Sequence, residues 1–248
     1  MRRRSGLTGA NRDGWCWYSA DAYLFDIDGT LLRCYDRTHR SALHWAMGQV
    51  FGVETTIDGI AYHGKTDLGI LRAALERAGV AGSAIDSGMA DALAVTRRYV
   101  ADNRRLLTPT LMPGIPQILE LLRSLGKLLA ICSGNLETVG WLKVRAARLD
   151  EFFQFGCFAD PCELRACVFR QGVIESRRRL GPAASVCFIG DTPDDVKAAQ
   201  KVGGRIIAVG TGTYLVSELA AHEPDLCVAS CDDLLVQDAA HTAPDRRC

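Results

Sequence analysis

The sequence predicts an α/β protein in which a parallel sheet is wrapped by helices. Three observations lead to this fold class. Short apolar segments alternate with longer segments of helical spacing, each apolar segment ends in polar or glycine-rich residues, and 248 residues are enough to bury a substantial core. The composition, with 48% hydrophobic and 23% charged residues, is that of an ordinary folded protein.

The apolar segments predict the strands of this sheet. In chain order they occupy residues 23–28, 127–133, 152–158, 185–191 and 205–211. Apolar residues at helical spacing predict the crossover helices, at residues 115–125, 136–149, 162–180 and 193–202. Gly126 is a stop signal for the first of these helices. This alternation of strands and helices is typical of a parallel sheet.

The interval between the first two strands follows a different pattern. Helical spacing without a comparable series of strands is found at residues 38–51, 68–78 and 84–103. We therefore predict a helical domain at residues 33–112, inserted into a sheet domain made of residues 21–32 and 113–238. Residues 1–20 are predicted to form a flexible tail and residues 239–248 a frayed C-terminus.

The charge of the chain disfavours two classes of partner. Lys plus Arg (29) equals Asp plus Glu (29), so no global field attracts nucleic acid or an anionic membrane. No segment approaches the roughly 20 apolar residues that cross a bilayer. We expect neither a nucleic acid nor a membrane partner, so specificity must come from a local site.

The ten cysteines are scattered along a chain too long to need disulfides. Cys132, Cys157 and Cys187 lie in apolar, strand-like segments, where cysteine behaves as a small hydrophobic residue. This pattern predicts free thiols in a reducing cytoplasm. The pairs that approach metal-ligand spacing lack matching partners, which disfavours structural zinc; they are Cys162 with Cys167 and Cys227 with Cys231.

Two acidic residues follow the first predicted strand, in the segment Asp26-Ile27-Asp28-Gly29-Thr30. Strand side chains two positions apart share a face, so the carboxylates of Asp26 and Asp28 would repel each other by roughly 4 kcal/mol at about 4 Å. A bound divalent cation would offset this, as would a raised pKa on one acid, leaving one nucleophile and one proton donor. The alternative is an Asp-Gly turn with both acids in solvent.

Two further polar segments follow later strands. Ser133-Gly134-Asn135 offers a hydroxyl and backbone N–H groups that suit phosphate oxygens, although Ser133 or Asn135 could simply cap a helix. The segment 190–195 places Asp191 at a strand tip, and Asp194 and Asp195 at a helix N-terminus that favours acids. Carboxylate oxygens in such a pocket suit Mg²⁺.

All three polar segments follow the carboxyl ends of predicted parallel strands, where open α/β sheets bind their ligands. We therefore expect them to form one pocket. A nucleophilic carboxylate, a second acid, a phosphate cradle and a metal site together suit phosphoryl transfer through an aspartyl-phosphate.

The same segments resemble motifs of the haloacid dehalogenase (HAD) superfamily, over residues 22–236. DIDGT (26–30) is similar to the first motif, CSGN (132–135) to the second and GDTPDD (190–195) to the fourth. The resemblance is to phosphoglycolate phosphatase-like members, and it implies a Rossmann-like core with an inserted helical cap of the C1 type. Asp28 argues against the dehalogenase branch, which lacks this second acid.

The resemblance also implies roles for individual residues. Asp26 would attack phosphorus, and Asp28 would protonate the leaving oxygen and then activate water. Mg²⁺ would be held by Asp26, the backbone carbonyl of Asp28 and Asp191, with Asp195 in support. The phosphoryl group would be bound by a set that combines hydroxyls, an amide and backbone N–H groups, namely Thr30, Ser133, Gly134 and Asn135.

The third motif departs from the family pattern, because its usual lysine is absent from residues 159–180. An arginine must then neutralise the nucleophile and the phosphate, and the candidates are Arg165 and Arg170. Arg165 has the spacing found in some similar phosphatases, and a guanidinium stays protonated and binds phosphoryl oxygens in a forked geometry. The alternative is that Arg165 is a solvated helix residue.

The segment 63–67 resembles the specificity loop of the cap in phosphoglycolate phosphatase-like members. Lys65 would meet a negatively charged substrate and His63 would hydrogen-bond to it, unless His63 is a loop residue without function. Thr66 belongs to the same loop, but Thr66 or Asp67 could serve only to cap the following helix.

These observations predict a Mg²⁺-dependent phosphomonoester hydrolase that acts on a small phosphorylated metabolite, such as phosphoglycolate or a sugar phosphate. One alternative is a phosphotransferase or mutase of the same superfamily. Another is a member that binds or regulates without hydrolysis. The sequence leaves the substrate and the oligomeric state, monomer or dimer, open.

Overall fold

The computed structural model describes residues 15–160 and 162–241. Its centre is a six-stranded sheet with the order β5-β4-β1-β6-β7-β8, and every pairing in it is parallel. The strands are β1 (Ala22–Phe25), β4 (Leu128–Cys132), β5 (Phe155–Cys157), β6 (Val186–Gly190), β7 (Arg205–Val209) and β8 (Leu226–Val228). The predicted fold class is confirmed, and each predicted strand segment overlaps one of these strands.

Strand β1 lies between β4 and β6, and its register places the loops that follow. Phe25, the last residue of β1, is level with Ile131 of β4 and with Ile189 of β6. The three strands therefore end side by side at one edge of the sheet. The residues that come next in each segment are the polar residues singled out from the sequence.

Helices cover both faces of the sheet, because alternate residues of each central strand point to opposite sides. Tyr23 and Phe25 belong to one apolar core, and Leu24 belongs to the other. The helices are α4 (Ile115–Ser124), α5 (Glu137–Ala146), α6 (Arg165–Leu180), α7 (Pro193–Val202), α8 (Val216–Ala220) and α9 (Cys231–His241). Within the part of the chain that the structure describes, no helix has the length and apolar character needed to cross a membrane.

Between β1 and α4 the chain forms the inserted helices that the sequence predicts. They are α1 (Thr38–Phe51), α2 (Asp67–Arg77) and α3 (Gly82–Asp102), and their apolar faces build a third core. A two-stranded antiparallel sheet joins them to the main sheet domain, made of β2 (Leu32–Cys34) and β3 (Pro109–Leu111). We call residues 35–108 the helical insert; its core also contains Leu136 and Val139.

The prediction of a flexible tail at residues 1–20 is wrong for the last residues of that range. Trp17 is 5% exposed and packs in the core with Tyr23, whose hydroxyl donates to the Trp17 carbonyl at 2.8 Å. Residues 1–14 of that tail lie outside the described residues. At the other end, α9 continues to His241, so only residues 242–248 of the predicted frayed end lie outside the described chain.

The expectation of free thiols is wrong for one pair, because Cys162 and Cys167 form a disulfide with a Cα–Cα distance of 5.7 Å. Cys167 lies in the first turn of α6, and the chain that enters this helix brings Cys162 beside it. Disulfides are rare in reducing compartments, so this bond does not favour the cytoplasmic location predicted from the sequence. Cys132, Cys157 and Cys187 are buried free thiols, as expected.

Reducing the Cys162–Cys167 disulfide should lower the free energy of unfolding by about 2 kcal/mol, since the bond closes a short loop and restricts the unfolded chain. Urea unfolding with and without dithiothreitol measures the change. The Cys162→Ser/Cys167→Ser variant is the control and should resemble the reduced protein in both conditions. A wild-type midpoint that does not respond to the reductant would contradict the prediction.

Candidate active site

A cavity of about 410 Å³ lies between the carboxyl edge of the sheet and the helical insert. Its walls include residues from all three polar segments, among them Asp26, Ser133 and Asp191, and residues of the insert such as His39 and His63. The structure therefore brings the three predicted segments together at one site, and the insert covers it.

Three buried acids cluster at the base of the cavity, and two of them, Asp26 and Asp191, line it. Carboxylate oxygens of Asp26, Asp191 and Asp195 all lie within 4.8 Å of one another. The Thr30 hydroxyl donates to Asp191 Oδ1 at 3.0 Å, so this hydroxyl holds an acid and is not directed at a phosphoryl group as the resemblance implied. Asp195 accepts hydrogen bonds from the backbone and hydroxyl of Thr192, which forms a capping box at the start of α7.

Arg165, the first residue of α6, reaches into this acidic cluster. Its Nη2 lies 2.8 Å from Asp26 Oδ1 and 2.5 Å from Asp195 Oδ1, and its Nε donates to Asp195 Oδ1 at 2.6 Å. Arg165 is 9% exposed, whereas Arg170 is exposed on the same helix. Of the two arginines considered from the sequence, the structure places Arg165 beside Asp26.

The cluster is short of positive charge. Burial, together with the charges of Asp195 and Asp28, raises the pKa of Asp26 to about 6 in spite of Arg165. Burial and the charge of Asp26 also hold the pKa of Asp191 well above its usual value. Three carboxylates share one guanidinium, and Asp26 Oδ1 has no hydrogen bond of good geometry.

These acids fit a divalent cation. Buried carboxylate oxygens close together are the donor set that Mg²⁺ and Ca²⁺ prefer, and a cation would supply the missing positive charge. The backbone leaves room around Asp191, because a Cβ at Gly29 or Gly212 would overlap its carboxylate. The Asp195 carboxylate accepts hydrogen bonds from Thr192 and Arg165. It therefore supports such a site through these partners and is not itself an open ligand.

Asp28 lies apart from the cluster and has its own cation. Its Oδ2 is 2.6 Å from Lys143 Nζ and accepts a hydrogen bond from Asn135 Nδ2 at 2.8 Å. The two carboxylates do not share a strand face as predicted, since β1 ends at Phe25, and they pair with different cations. The charge of Asp28 still raises the pKa of Asp26, so part of the predicted repulsion is present. Desolvation in the cavity raises the pKa of Asp28, but Lys143 holds it below its usual value.

The segment after β4, residues 133–135, mainly makes hydrogen bonds to neighbouring residues of the site and of the helical insert. Ser133 Oγ accepts from Asn135 Nδ2 at 2.9 Å, and Asn135 Oδ1 accepts from Lys143 at 2.8 Å. The Gly134 carbonyl accepts from the backbone of Asp67 at 2.8 Å, and a Cβ at Gly134 would overlap the backbone of the helical insert. Neither Ser133 nor Asn135 caps α5, which was the alternative considered from the sequence.

The predicted specificity loop lies at the mouth of the cavity. Lys65 pairs with Asp194 Oδ2 at 2.6 Å, and His63 stacks on Tyr62 with ring centroids 4.3 Å apart. Both His63 and Lys65 line the cavity. Thr66 caps α2 by accepting from the backbone of Gly69 at 3.1 Å, as the alternative interpretation expected.

Comparison with known proteins decides the family. A family model of haloacid dehalogenase-like hydrolases matches residues 20–203, which is more than half of the chain, and a HAD-hydrolase-like model matches residues 173–234. The chain belongs to the haloacid dehalogenase-like hydrolase family. The resemblance seen in the three sequence motifs is therefore confirmed.

One curated relative is the probable phosphatase IndB from Dickeya dadantii (strain 3937). It is 27% identical over 152 residues, and the match covers 60% of this chain and 65% of the relative. The chain thus spans less than two thirds of that protein.

Solved structures of other proteins share the fold. A predicted phosphoglycolate phosphatase from Haemophilus somnus 129pt is 17% identical with a TM-score of 0.62, over 88% of this chain and 98% of that chain. A CbbY variant from Rhodobacter sphaeroides in complex with xylulose-(1,5)bisphosphate is 21% identical with a TM-score of 0.66, over 86% and 95% of the two chains. Identities this low show the common fold alone.

Two residues of the site escaped sequence analysis of this HAD-family chain. Lys143 lies on α5 and is 2% exposed, and His39 on α1 lies 3.1 Å from its Nζ. A lysine between the apolar residues Leu142 and Val144 is an available signal, but α5 was interpreted only as a crossover helix. Its partners Asp28 and His39 are more than 100 positions away, so no local pattern identifies them.

Proposed function

We propose that this HAD-family chain is a phosphomonoesterase that works through an aspartyl-phosphate on Asp26. The observation that carries the proposal is the position of Asp26, which follows the central strand β1 and faces a covered cavity with Arg165 Nη2 at 2.8 Å. A carboxylate held beside a fixed cation is suited to approach an anionic phosphoryl group.

In the first step, an oxygen of Asp26 attacks phosphorus and the ester P–O bond breaks. The electron pair goes to the leaving oxygen, which takes a proton from Asp28. Lys143 holds the pKa of Asp28 below its usual value in the free site, so this role requires that Asp28 carry a proton when the ester is bound. In the second step, water attacks phosphorus, Asp28 accepts a proton from it, and the bond between phosphorus and Asp26 breaks. The proton that Asp28 gains in the second step is then available for the next turnover.

Arg165 neutralises the transferring phosphoryl group in this proposal, and the Ser133 hydroxyl with the backbone of Gly134 and Asn135 binds its oxygens. The metal would be Mg²⁺, held by Asp26, Asp191 and the backbone carbonyl of Asp28. When bound, the cation neutralises charge on the nucleophile and the phosphoryl oxygens. Asp195 supports the site by holding Arg165.

The helical insert acts as a cap in this proposal. It encloses a cavity of about 410 Å³, a size that suits a small metabolite. His63 and Lys65 contribute specificity from the mouth of the cavity, and the basic residues of the lining, such as Arg33 and Lys65, favour an anionic leaving group. Phosphoglycolate and sugar phosphates have this chemistry, as does the bisphosphate named for the CbbY complex.

Free-phosphate release from a panel of small phosphate esters, with Mg²⁺ or with EDTA, tests the proposal. Mg²⁺-dependent release supports it, and the ranking of the panel indicates the substrate. A sugar phosphate that isomerises without release of phosphate would show a mutase instead. A folded protein that turns over no ester would indicate a binding or regulatory role and overturn the proposal.

Mg²⁺ should stabilise the protein more at about pH 8 than at about pH 5. In the metal-free protein the pKa of Asp26 is about 6 against an ordinary 3.8, and that of Asp191 is raised too. The native state then binds more protons than the unfolded chain between about pH 4 and pH 6, so its stability falls as the pH rises through that window. A cation interacts with the ionised acids and restores that stability.

Thermal unfolding with Mg²⁺ and with EDTA at both pH values measures this effect. Asp191→Asn is the matched control, because it keeps the shape of the side chain and removes one ionised ligand; it should show a smaller Mg²⁺ shift. Equal Tm values with Mg²⁺ and EDTA at the higher pH would contradict the metal assignment.

A further inference from the structure

Lys143 is a buried cation that the HAD motifs of this chain do not account for. Its side chain is 3% exposed, and its Nζ contacts three acceptors: Asp28 Oδ2 at 2.6 Å, Asn135 Oδ1 at 2.8 Å and His39 Nδ1 at 3.1 Å. An ammonium group has three protons, so all of them are used. A charge buried this deeply is retained only where such partners exist.

The Lys143 contacts also indicate which ring nitrogen of His39 donates a hydrogen bond. An ammonium group only donates, so Nδ1 of His39 must accept and its Nε2 must carry the proton. That nitrogen lies 3.1 Å from Asp67 Oδ2. The same oxygen accepts from the backbone of Leu136 at 2.8 Å, immediately before the helix that carries Lys143.

A polar chain therefore runs from the helical insert to the loop after β1. Asp67 on α2 holds His39 on α1, His39 holds Lys143 on α5, and Lys143 holds Asp28. The Asp28 side chain is 43% exposed, so packing alone does not fix its rotamer. Both hydrogen bonds that it accepts within the described chain go to Oδ2, from Lys143 and Asn135, which directs Oδ1 to the cavity.

We propose that Lys143 is the positioning residue for Asp28, held in place by the His39–Asp67 pair of the helical insert. The proposal rests on the proposed function, in which Asp28 transfers protons. Lys143 and Asn135 clamp one carboxylate oxygen so that the other meets the leaving oxygen and then the water. Because His39 and Asp67 belong to the insert, Asp28 is correctly placed only while the insert covers the site.

Pre-steady-state kinetics of the Lys143→Met variant with para-nitrophenyl phosphate test whether Lys143 positions Asp28. Para-nitrophenolate departs without a proton, so the first step needs no positioned acid, whereas the second step still needs Asp28 as a base. The variant should release about one equivalent of nitrophenolate in a burst as fast as wild-type turnover, followed by a steady state slower by about 10²-fold. His39→Asn and Asp67→Asn should show the same pattern with a loss of about tenfold.

A double-mutant cycle separates positioning from a structural role. If Lys143 acts through Asp28, adding Lys143→Met to Asp28→Asn should cause no further loss of steady-state rate. The double variant removes both charges of the Asp28–Lys143 ion pair, so the Asp28 charge is not left beside a missing cation. It therefore keeps the test valid if Lys143→Met alone does not fold. Lys201→Met, at an exposed position on α7, is the matched control and should match wild type.

Three outcomes would overturn the inference. Wild-type rates of Lys143→Met in both the burst and the steady state would show that Asp28 does not need Lys143 to position it. If Lys143→Met lowers the burst rate and the steady-state rate by the same factor, and lowers the rate further in the Asp28→Asn background, Lys143 has a structural role. Wild-type protein that turns over no phosphate ester overturns the proposed function itself, and the inference with it.

Discussion

The Asp26→Asn variant is expected to lose at least about four orders of magnitude in kcat for any phosphate ester that the wild type hydrolyses. The amide has nearly the shape of the carboxylate but cannot attack phosphorus, so no aspartyl-phosphate forms. Release of inorganic phosphate in the presence of Mg²⁺ measures the loss. A trapped phosphoenzyme, seen in the wild type by mass spectrometry after acid quench, should be absent from the variant.

The same variant should remain folded, which separates loss of chemistry from loss of structure. Burial and neighbouring acids raise the pKa of Asp26 to about 6, so at higher pH its charge destabilises the metal-free protein. Replacing it by a neutral amide should therefore not lower the Tm measured in EDTA at about pH 8. Turnover within about tenfold of wild type would show that another residue is the nucleophile.

The convergence of the three polar segments was predictable because it depends on topology. Parallel strands that end at one edge deliver the residues after them to one place, and the register of Phe25 with Ile131 and Ile189 does this here. The helices of the insert were predictable from their apolar spacing, and α1 begins and ends at the predicted residues 38 and 51.

Short elements escaped prediction because they carry little pattern. Strands β2, β3 and β8 have three residues each, too few to show a period. Strand β5 is equally short but lies in a longer apolar segment, which is why the sequence predicted it. Trp17 was assigned to a tail because its packing depends on Tyr23 and the rest of one core, which no local signal reveals. The Cys162–Cys167 pair was considered only as a metal-ligand spacing.

Within the site, the residue types were predictable but not their pairing. Asp26 and Asp28 were expected to share one strand face, yet the chain leaves the strand at Asp26 and turns at Gly29 with a φ of 94°. The two carboxylates then meet Arg165 and Lys143, which come from different helices. Spacing along a sequence identifies which groups are available, while tertiary contacts decide which cation each acid meets.

Replacing Arg165 by Ala is expected to lower kcat by about 10² to 10³-fold, the range found when a fixed donor to a developing anion is removed. Arg165 is the cation that lies beside both Asp26 and Asp195, so its loss leaves two buried acids without their partner. Steady-state phosphate release at saturating Mg²⁺ measures the effect. The free energy of unfolding should also fall, by about 3 kcal/mol or more, because an unpaired buried charge remains.

Arg170→Ala is the matched control for this prediction, since it removes the same side chain from an exposed position on the same helix. It should leave both kcat and stability within the error of wild type. Arg165→Lys should recover part of the stability but little of kcat, because one ammonium cannot hold Asp26 and Asp195 together as the forked guanidinium does. Equal, mild losses in Arg165→Ala and Arg170→Ala would show that neither arginine takes the place of the motif lysine. The cation that neutralises the phosphoryl group would then have to be sought elsewhere in the cavity, with Lys143 and Lys65 as the next residues to replace.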